Sequence, residues 1–187
     1  MNLLTTIQTV VFISGTIFII FISRKSLLNF RVHGFYRFFV FEFTLALVLL
    51  NIPNWFTNPF SLLQLISWVL LLISIYLIIQ SVMLLKKIGA IKKREEVSAN
   101  FNFENTANLV KVGVYKYIRH PMYGSLLFLS TGALFKNISV VTITISIITF
   151  VFLILTAKVE EKENINFFGY SYLEYMKETK MFIPHIF

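Results

Sequence analysis

The side chains best suited to chemistry lie late in the chain, around a proline. Arg119 and His120 come directly before Pro121, and Tyr123 follows two residues after it. Proline is favoured at the first position of a helix, where its missing N–H costs nothing, so a helix is predicted to begin at Pro121. The free amides and the positive dipole end of such a helix attract anions. The segment is therefore either an anion-binding site or a polar anchor at the start of a helix.

A second charged cluster, from Lys158 to Glu163, follows two long apolar stretches. If these stretches form a helical hairpin with arms of similar length, the start of the first arm lies beside the end of the second. Arg119, His120 and Glu160 are then expected to be neighbours. Acids and bases placed together in this way form either a ring of solvent-exposed charges or a binding site.

The composition indicates that these residues belong to an integral membrane protein. Of the 187 residues, 57% are hydrophobic and 14% are charged, and neither Cys nor Asp occurs. Soluble domains are about a quarter charged, and disordered chains are poor in apolar residues. A chain without cysteine forms no disulfide, thiolate metal site or cysteine nucleophile, and no metal site is expected. The net charge of +8 leaves nucleic acid and acidic lipid open as partners until the basic residues are located.

The apolar stretches predict an all-α fold with about five transmembrane helices, because a span needs about 20 mostly apolar residues. The predicted spans cover about residues 3–22, 36–52, 60–85, 122–135 and 138–157. We expect a single membrane domain, 1–187, with three N-terminal spans in 1–85. Residues 86–187 then form the functional core, with the hairpin at 121–157 and a C-terminal lid at 158–187. At about 1.5 Å per residue the fourth span is short for a hydrocarbon core of about 30 Å. We therefore expect either that the start of this span lies below the membrane surface or that the bilayer is thinner there.

The basic residues predict the orientation. They number four in 24–37, eight in 86–119, one at 136 and four after 157. Because Lys and Arg concentrate in cytoplasmic loops, we expect the N-terminus outside and the C-terminus in the cytoplasm, with 16 of the 17 basic residues on the cytoplasmic side. The positive charge is thereby explained by topology. The expected partner is the lipid bilayer, and no nucleic acid is expected.

Glu42 is the one carboxylate within a predicted span. An ionisable residue inside a membrane is a candidate functional residue, but this one lies near a basic helix end. Glu42 is therefore either functional or paired with Arg37.

The motifs after residue 98 resemble the isoprenylcysteine carboxyl methyltransferase family, which itself resembles membrane phospholipid methyltransferases. The matching elements follow the order of that family, with the apolar hairpin between the two halves. They are Leu109-Val110, Gly113-Val114-Tyr115, Arg119-His120-Pro121-Met122-Tyr123, Glu160-Glu161, Phe167-Phe168-Gly169, Tyr172-Leu173-Glu174-Tyr175 and Ile183-Pro184. The resemblance is to the smaller prokaryotic members, and it implies a bacterial or archaeal cell-membrane enzyme whose active site faces the cytoplasm.

The resemblance also implies the methyl donor and its site. In that family S-adenosyl-L-methionine is held between the loop before the hairpin, the hairpin and the C-terminal segment. Carried over by position, the cofactor contacts are Asn100, Ala107, Asn108, Leu109, Val110, Tyr115, His120, Pro121, Met122, Tyr123 and, as the acidic partner, Glu160. A substrate-binding arginine of the family falls at Thr156, so Thr156 and the nearby Lys158 are the predicted acceptor contacts.

The main expectation is methyl transfer to a carboxylate of a lipid-like or prenylated acceptor. A carboxylate is ionised at neutral pH and needs no general base, so catalysis is positioning, with Arg119 as the catalytic residue that orients an anion. The alternative is O- or N-methylation of a small lipid, such as an alkylpyrone or a phospholipid, for which His120 or Glu161 is the catalytic base. A non-catalytic transporter or scaffold is the third possibility, and it predicts no donor binding. The stretch 164–180 is expected to cover the donor as a lid, to lie at the membrane interface as an amphipathic helix, or to do both.

Overall fold

The computed structural model describes residues 2–90, 101 and 103–186. Asn100, a predicted cofactor contact, lies outside the described residues. Within the described ranges the fold is largely helical, and Ile118 and Lys180 form an isolated parallel bridge. The six α-helices of these ranges are α1 (Leu3–Ser23), α2 (His33–Asn51), α3 (Leu62–Ile88), α4 (Pro121–Leu134), α5 (Val140–Phe168) and α6 (Tyr170–Glu178).

The helix starts follow from local sequence. Asn2 and Ser61 cap α1 and α3, since their side chains accept hydrogen bonds from the first-turn amides. Ser139 and Thr142 form a reciprocal capping box at the start of α5. Pro121 occupies the first position of α4, which confirms the predicted helix start.

In the part of the chain that the structure describes, four segments are long and apolar enough to cross a membrane: Leu3–Ser23, His33–Asn54, Leu62–Ile88 and Val140–Phe168. They correspond to four of the five predicted spans, and most of their side chains face outward as apolar surface suited to lipid. The remaining predicted span, the fourth along the chain, corresponds to α4. Its 14 residues reach only about 21 Å at about 1.5 Å per residue. The structure therefore supports an integral membrane protein, while the count of five spans and their orientation stay predictions.

Helix α5 is longer than the predicted span that contains it. The prediction ended that span at 157, but the helix continues to Phe168. No proline or glycine interrupts the chain until Gly169, whose φ of +60° is a left-handed conformation that glycine adopts at little cost. The cluster from Lys158 to Glu163 consequently lies on a rigid helix, and the separate C-terminal helix begins only at Tyr170.

The helices pack in two pairs, α2 against α5 and α3 against α4, with α4 also contacting α2 and α5. The core between them joins Val40, Tyr123, Leu153, Ala157 and Phe182. Phe182, from the C-terminal segment, is fully buried. The end of the chain is therefore packed into the bundle beside the start of α4.

Glu42 does not pair with Arg37, so that prediction is wrong. Glu42 accepts a hydrogen bond from the Thr16 hydroxyl of α1 at 2.9 Å, whereas Arg37 donates to Glu104. Residues five apart on an α-helix are separated by about 140° around its axis. The two side chains therefore project from different faces of α2.

Gly132→Val is expected to destabilise the protein by about 1–3 kcal/mol through overpacking. A Cβ at Gly132 would lie 3.0 Å from Leu71 Cγ and 3.2 Å from the Ser67 carbonyl oxygen, because α3 and α4 approach closely there. Thermal unfolding of the detergent-solubilised protein measures the change. Thr144→Val, on the exposed face of α5, is the control, and equal midpoints for the two variants would contradict the expectation.

Candidate active site

A cavity opens where α4 begins, beside the last turns of α5, helix α6 and the segment before α4. The space between its lining residues is about 600 Å³ when the solvent in its open mouth is included. It is lined by Leu85, Glu104, Thr106, Leu109, Val110, Tyr115, Arg119, His120, Pro121, Met122, Tyr123, Glu160, Asn164, Phe168, Tyr172 and Tyr175. The lining joins carboxylates, tyrosine rings and a few apolar side chains.

The C-terminal segment holds the residues before α4 in place by backbone pairing. The Arg119 amide donates to the Lys180 carbonyl at 2.7 Å, and the His120 amide donates to the Met181 carbonyl at 3.1 Å. These two amides are consequently occupied. The amides that remain for a ligand are those of Met122 and Tyr123, which begin α4 and have no intrahelical acceptor.

Arg119 connects three parts of the site. Its Nε donates to Glu161 Oε1 at 2.8 Å, and its Nη1 donates to the Met176 carbonyl at 3.3 Å and to the Thr179 carbonyl. The guanidinium thus fixes the end of α6 against α5 and the start of α4. Sequence reasoning expected Glu160 beside Arg119, and it anticipated neither the ion pair with Glu161 nor the two carbonyl acceptors.

His120, Tyr123 and Glu160 form a compact cluster on one wall of the cavity. The His120 and Tyr123 rings stack with centroids 5.4 Å apart, and the Tyr123 hydroxyl donates to Glu160 Oε2. His120 Nδ1 lies 3.9 Å from Glu160 Oε2 and Nε2 lies 3.4 Å from Glu161 Oε1. The expectation that the hairpin brings His120 beside Glu160 is confirmed, while Arg119 forms its ion pair with the next residue, Glu161.

Three tyrosines from outside the spans complete the lining. Burial raises the pKa of Tyr115 and Tyr172 above the ordinary value, and the negative charge of Glu160 raises it further. Burial likewise raises the pKa of Tyr175, whose hydroxyl donates to the Tyr115 carbonyl at 2.6 Å. All three hydroxyls therefore stay protonated at neutral pH, and their rings offer faces that attract a cation.

Part of the segment 164–180 lines the cavity. Its lining residues are Asn164, Phe168, Tyr172 and Tyr175. Phe167, in contrast, is 45% exposed. The role of this segment as a lid over the donor stays a prediction.

Glu104 is a cavity residue that sequence reasoning missed. Its two oxygens each accept from Arg37 Nη1 at 2.9 Å, and Oε2 also accepts from the Phe101 amide at 2.7 Å. The Arg37 guanidinium lies 4.2 Å above the Phe101 ring. The available signal was that Glu104 is the one carboxylate between Glu96 and Glu160.

His33 is a second buried residue near the site that the sequence did not single out. Its Nδ1 lies 2.6 Å from Glu163 Oε2, and its amide donates to Glu163 Oε1 at 2.9 Å. Glu163 thereby caps the start of α2 from α5, one turn beyond Glu160. The spacing of His33 and Arg37, four residues apart on one helix face, was the signal that could have found both.

The predicted site residues fall into two groups. Those that line the cavity are Leu109, Val110, Tyr115, Arg119, His120, Pro121, Met122, Tyr123 and Glu160. Those described but not lining it are Ala107, Asn108, Thr156, Lys158 and Glu161. Thr156 is fully buried in α5 and donates to the Phe152 carbonyl at 2.7 Å, while Lys158 is exposed. The roles of all these residues stay predictions.

Among the described residues, no group of three or more His, Asp or Glu side chains is placed to hold a metal ion. The described helices that are long and apolar enough to cross a bilayer, together with a polar and aromatic cavity, are consistent with an integral membrane protein. The chain belongs to the phospholipid methyltransferase family, whose model matches residues 64–171, more than half of the sequence. That family is part of the isoprenylcysteine carboxyl methyltransferase-like group of membrane methyltransferases, so the resemblance is confirmed. Neither the curated proteins nor the solved structures contain a significant match.

The protein is therefore a membrane methyltransferase. The matched segment runs from α3 to the start of α6. Helices α1 and α2 lie outside it. Arg37 and His33, which contact the site from α2, therefore belong to a part of the chain that the family match does not cover.

Proposed function

We propose that this protein transfers a methyl group from S-adenosyl-L-methionine to a lipid-like acceptor at the membrane surface. The observation that carries the proposal is the Glu160 carboxylate, which lies in a tyrosine-lined cavity next to His120 and Tyr123. When bound, this donor supplies a methyl group on a positively charged sulfur. A carboxylate surrounded by aromatic faces is suited to such a cation.

The residues present fit the other parts of the donor as well. Leu109 and Val110 provide an apolar wall for the adenine ring. The amides of Met122 and Tyr123 at the start of α4 suit the carboxylate of the donor. Glu160 keeps three of its four lone-pair positions for the ammonium or sulfonium, since the Tyr123 hydroxyl is its one hydrogen-bond donor among the described residues.

A carboxylate is our first candidate for the acceptor group. It is ionised at neutral pH, so the residues of the site need only hold it in line with the methyl group. Arg119 lines the cavity and carries the positive charge for this task, while Glu161, its ion-pair partner, keeps it oriented. Thr156 and Lys158 are the further acceptor contacts proposed by position, although neither lines the cavity.

An amine of a phospholipid is the second candidate, and the description of the matched family favours it. A protonated amine must lose a proton before it can attack. His120 is the base that the geometry supports, because it lines the cavity and its Nε2 lies 3.4 Å from Glu161 Oε1, a carboxylate that favours the protonated imidazole. The proton would pass from the amine to the imidazole.

We further propose that the cavity faces the cytoplasm of a bacterial or archaeal cell. The excess of basic residues in the segments around the cavity supports this orientation. A soluble donor then reaches the site from the cytoplasm, and a lipid acceptor reaches it from the bilayer.

Purified protein in detergent is expected to bind S-adenosyl-L-methionine saturably, with one site per chain, in a calorimetric titration. Absence of saturable heat would overturn the donor assignment and favour a non-catalytic protein. Incubation with a labelled methyl donor and membrane lipid then separates the acceptors. Mild base releases labelled methanol from a methyl ester, whereas a methylated amine or ether keeps its label.

A further inference from the structure

Two carboxylates line the described part of the cavity, and their partners differ. Glu160 accepts a hydrogen bond from the neutral Tyr123 hydroxyl, and its side chain is 28% exposed. Glu104 is paired with the Arg37 guanidinium, and its side chain is 12% exposed. Glu160 therefore keeps a negative charge that a ligand cation can use, while the charge of Glu104 is already balanced within the protein.

Glu104 still has one acceptor position to offer. A carboxylate has about four lone-pair sites. Among the described residues, Oε2 of Glu104 accepts from both Arg37 and Phe101, whereas Oε1 accepts from Arg37 alone. The remaining site is on Oε1. Because the ion pair as a whole is neutral, this site suits a neutral hydroxyl donor better than an ammonium group.

We propose that the Arg37–Glu104 pair forms a hydroxyl-binding subsite of the cavity and that its ligand is the ribose of the methyl donor. Carboxylates are the groups that bind ribose hydroxyls in dinucleotide-binding proteins. Leu109 and Val110 line the same cavity as Glu104 and come from the same segment of chain. A nucleoside whose base packs on these apolar side chains places its sugar within reach of Glu104.

Arg37 is the positioning residue of this subsite. It does not line the cavity, but its Nη1 contacts both oxygens of Glu104 at 2.9 Å. Its side chain is 6% exposed. Since α2 lies outside the segment that matches the family, the subsite combines the matched part of the chain with a helix beyond it.

The inference rests on the proposed donor, and ligand analogues test the two separately. Calorimetry on wild-type protein would use S-adenosylhomocysteine and its 2′-deoxy and 3′-deoxy counterparts. We expect the parent compound to bind and at least one deoxy compound to bind about 10- to 100-fold more weakly, the usual loss for a hydrogen bond to a charged group. Equal affinity for all three compounds would overturn the ribose subsite while leaving the donor assignment intact. No binding of the parent compound would instead overturn the donor assignment.

Two variants assign the hydroxyl contact to Glu104. Glu104→Asp keeps the charge pair with Arg37 but withdraws the carboxylate by one methylene, and Glu104→Gln removes the charge. In both variants, we expect S-adenosylhomocysteine to bind only as tightly as its deoxy counterpart. The preference for the ligand that carries the hydroxyl then disappears. A preference that persists, or an equal loss for all three ligands, would overturn the assignment. Glu174→Asp, at an exposed carboxylate paired with Lys177, is the matched control and should keep the preference.

Discussion

Glu160→Gln is expected to lower the rate of methyl transfer by about 30-fold or more. The substitution keeps the shape of the side chain, and the amide oxygen still accepts from Tyr123, so the fold should survive. What disappears is the charge of Glu160, a cavity carboxylate that forms no ion pair with Lys or Arg among the described residues. Removing one partner of a buried charge contact costs about 2–5 kcal/mol of binding free energy, which corresponds to this loss or a larger one.

The measurement is transfer of labelled methyl to membrane lipid at several donor concentrations. Weaker donor binding appears as a raised KM together with a weaker calorimetric affinity. Tyr123→Phe removes only the hydroxyl that orients Glu160 and should cause a smaller loss. Glu174→Gln is the control, because Glu174 lies outside the cavity and pairs with Lys177 on the surface. Activity of Glu160→Gln within threefold of wild type would be incompatible with the proposed donor site.

Arg119→Ala is expected to release the C-terminal segment from the bundle and to abolish activity. The variant removes the buried ion pair with Glu161 and the hydrogen bonds to the Met176 and Thr179 carbonyls. Breaking a buried pair from one side costs about 3–5 kcal/mol, because the other charge stays buried without a partner. The affected part of the chain contains Tyr172 and Tyr175, which line the cavity.

Hydrogen exchange followed by mass spectrometry measures this release directly. We expect faster exchange in peptides covering 170–186 and little change in α3. Lys177→Ala, in the same helix but at an exposed ion pair, should leave the exchange unchanged. Arg119→Lys separates the two roles, since it keeps the positive charge and loses the forked contacts. Unchanged exchange in Arg119→Ala would show that Arg119 does not hold the segment.

The two expected losses differ in their cause. Glu160→Gln should reduce donor binding in a protein whose C-terminal segment remains packed, while Arg119→Ala should unpack that segment first. Measuring exchange and donor affinity on both variants therefore distinguishes a binding residue from a positioning residue.

Sequence reasoning located one wall of the site well, because that wall depends on local rules. Proline at position 121 begins a helix, and a hairpin with arms of similar length returns the chain to its starting level. Those two facts were enough to predict that His120 lies beside Glu160. The extension of α5 to Phe168 was missed because the charged cluster after 157 was taken as the end of a span, although nothing there breaks a helix.

The position of Glu104 in the cavity, in contrast, could not be predicted from the sequence. Glu104 lies far from Arg37 in sequence, and their contact depends on how α2 packs beside the segment that precedes α4. Likewise, the pairing of Lys180 and Met181 with the residues before Pro121 joins the end of the chain to its middle. No periodicity or motif encodes such contacts, since each needs two segments that approach only when the bundle forms.

The sequence by itself determined that this is a membrane protein, where its apolar helices lie and which family it resembles. These properties depend on hydrophobicity and on residues close together along the chain, where composition and spacing act directly. Only the tertiary structure decided which carboxylates line the cavity, which of them is balanced by an arginine, and how the C-terminal segment closes around Arg119. The reason is that the charge of a buried group depends on its partners in space, and packing chooses those partners.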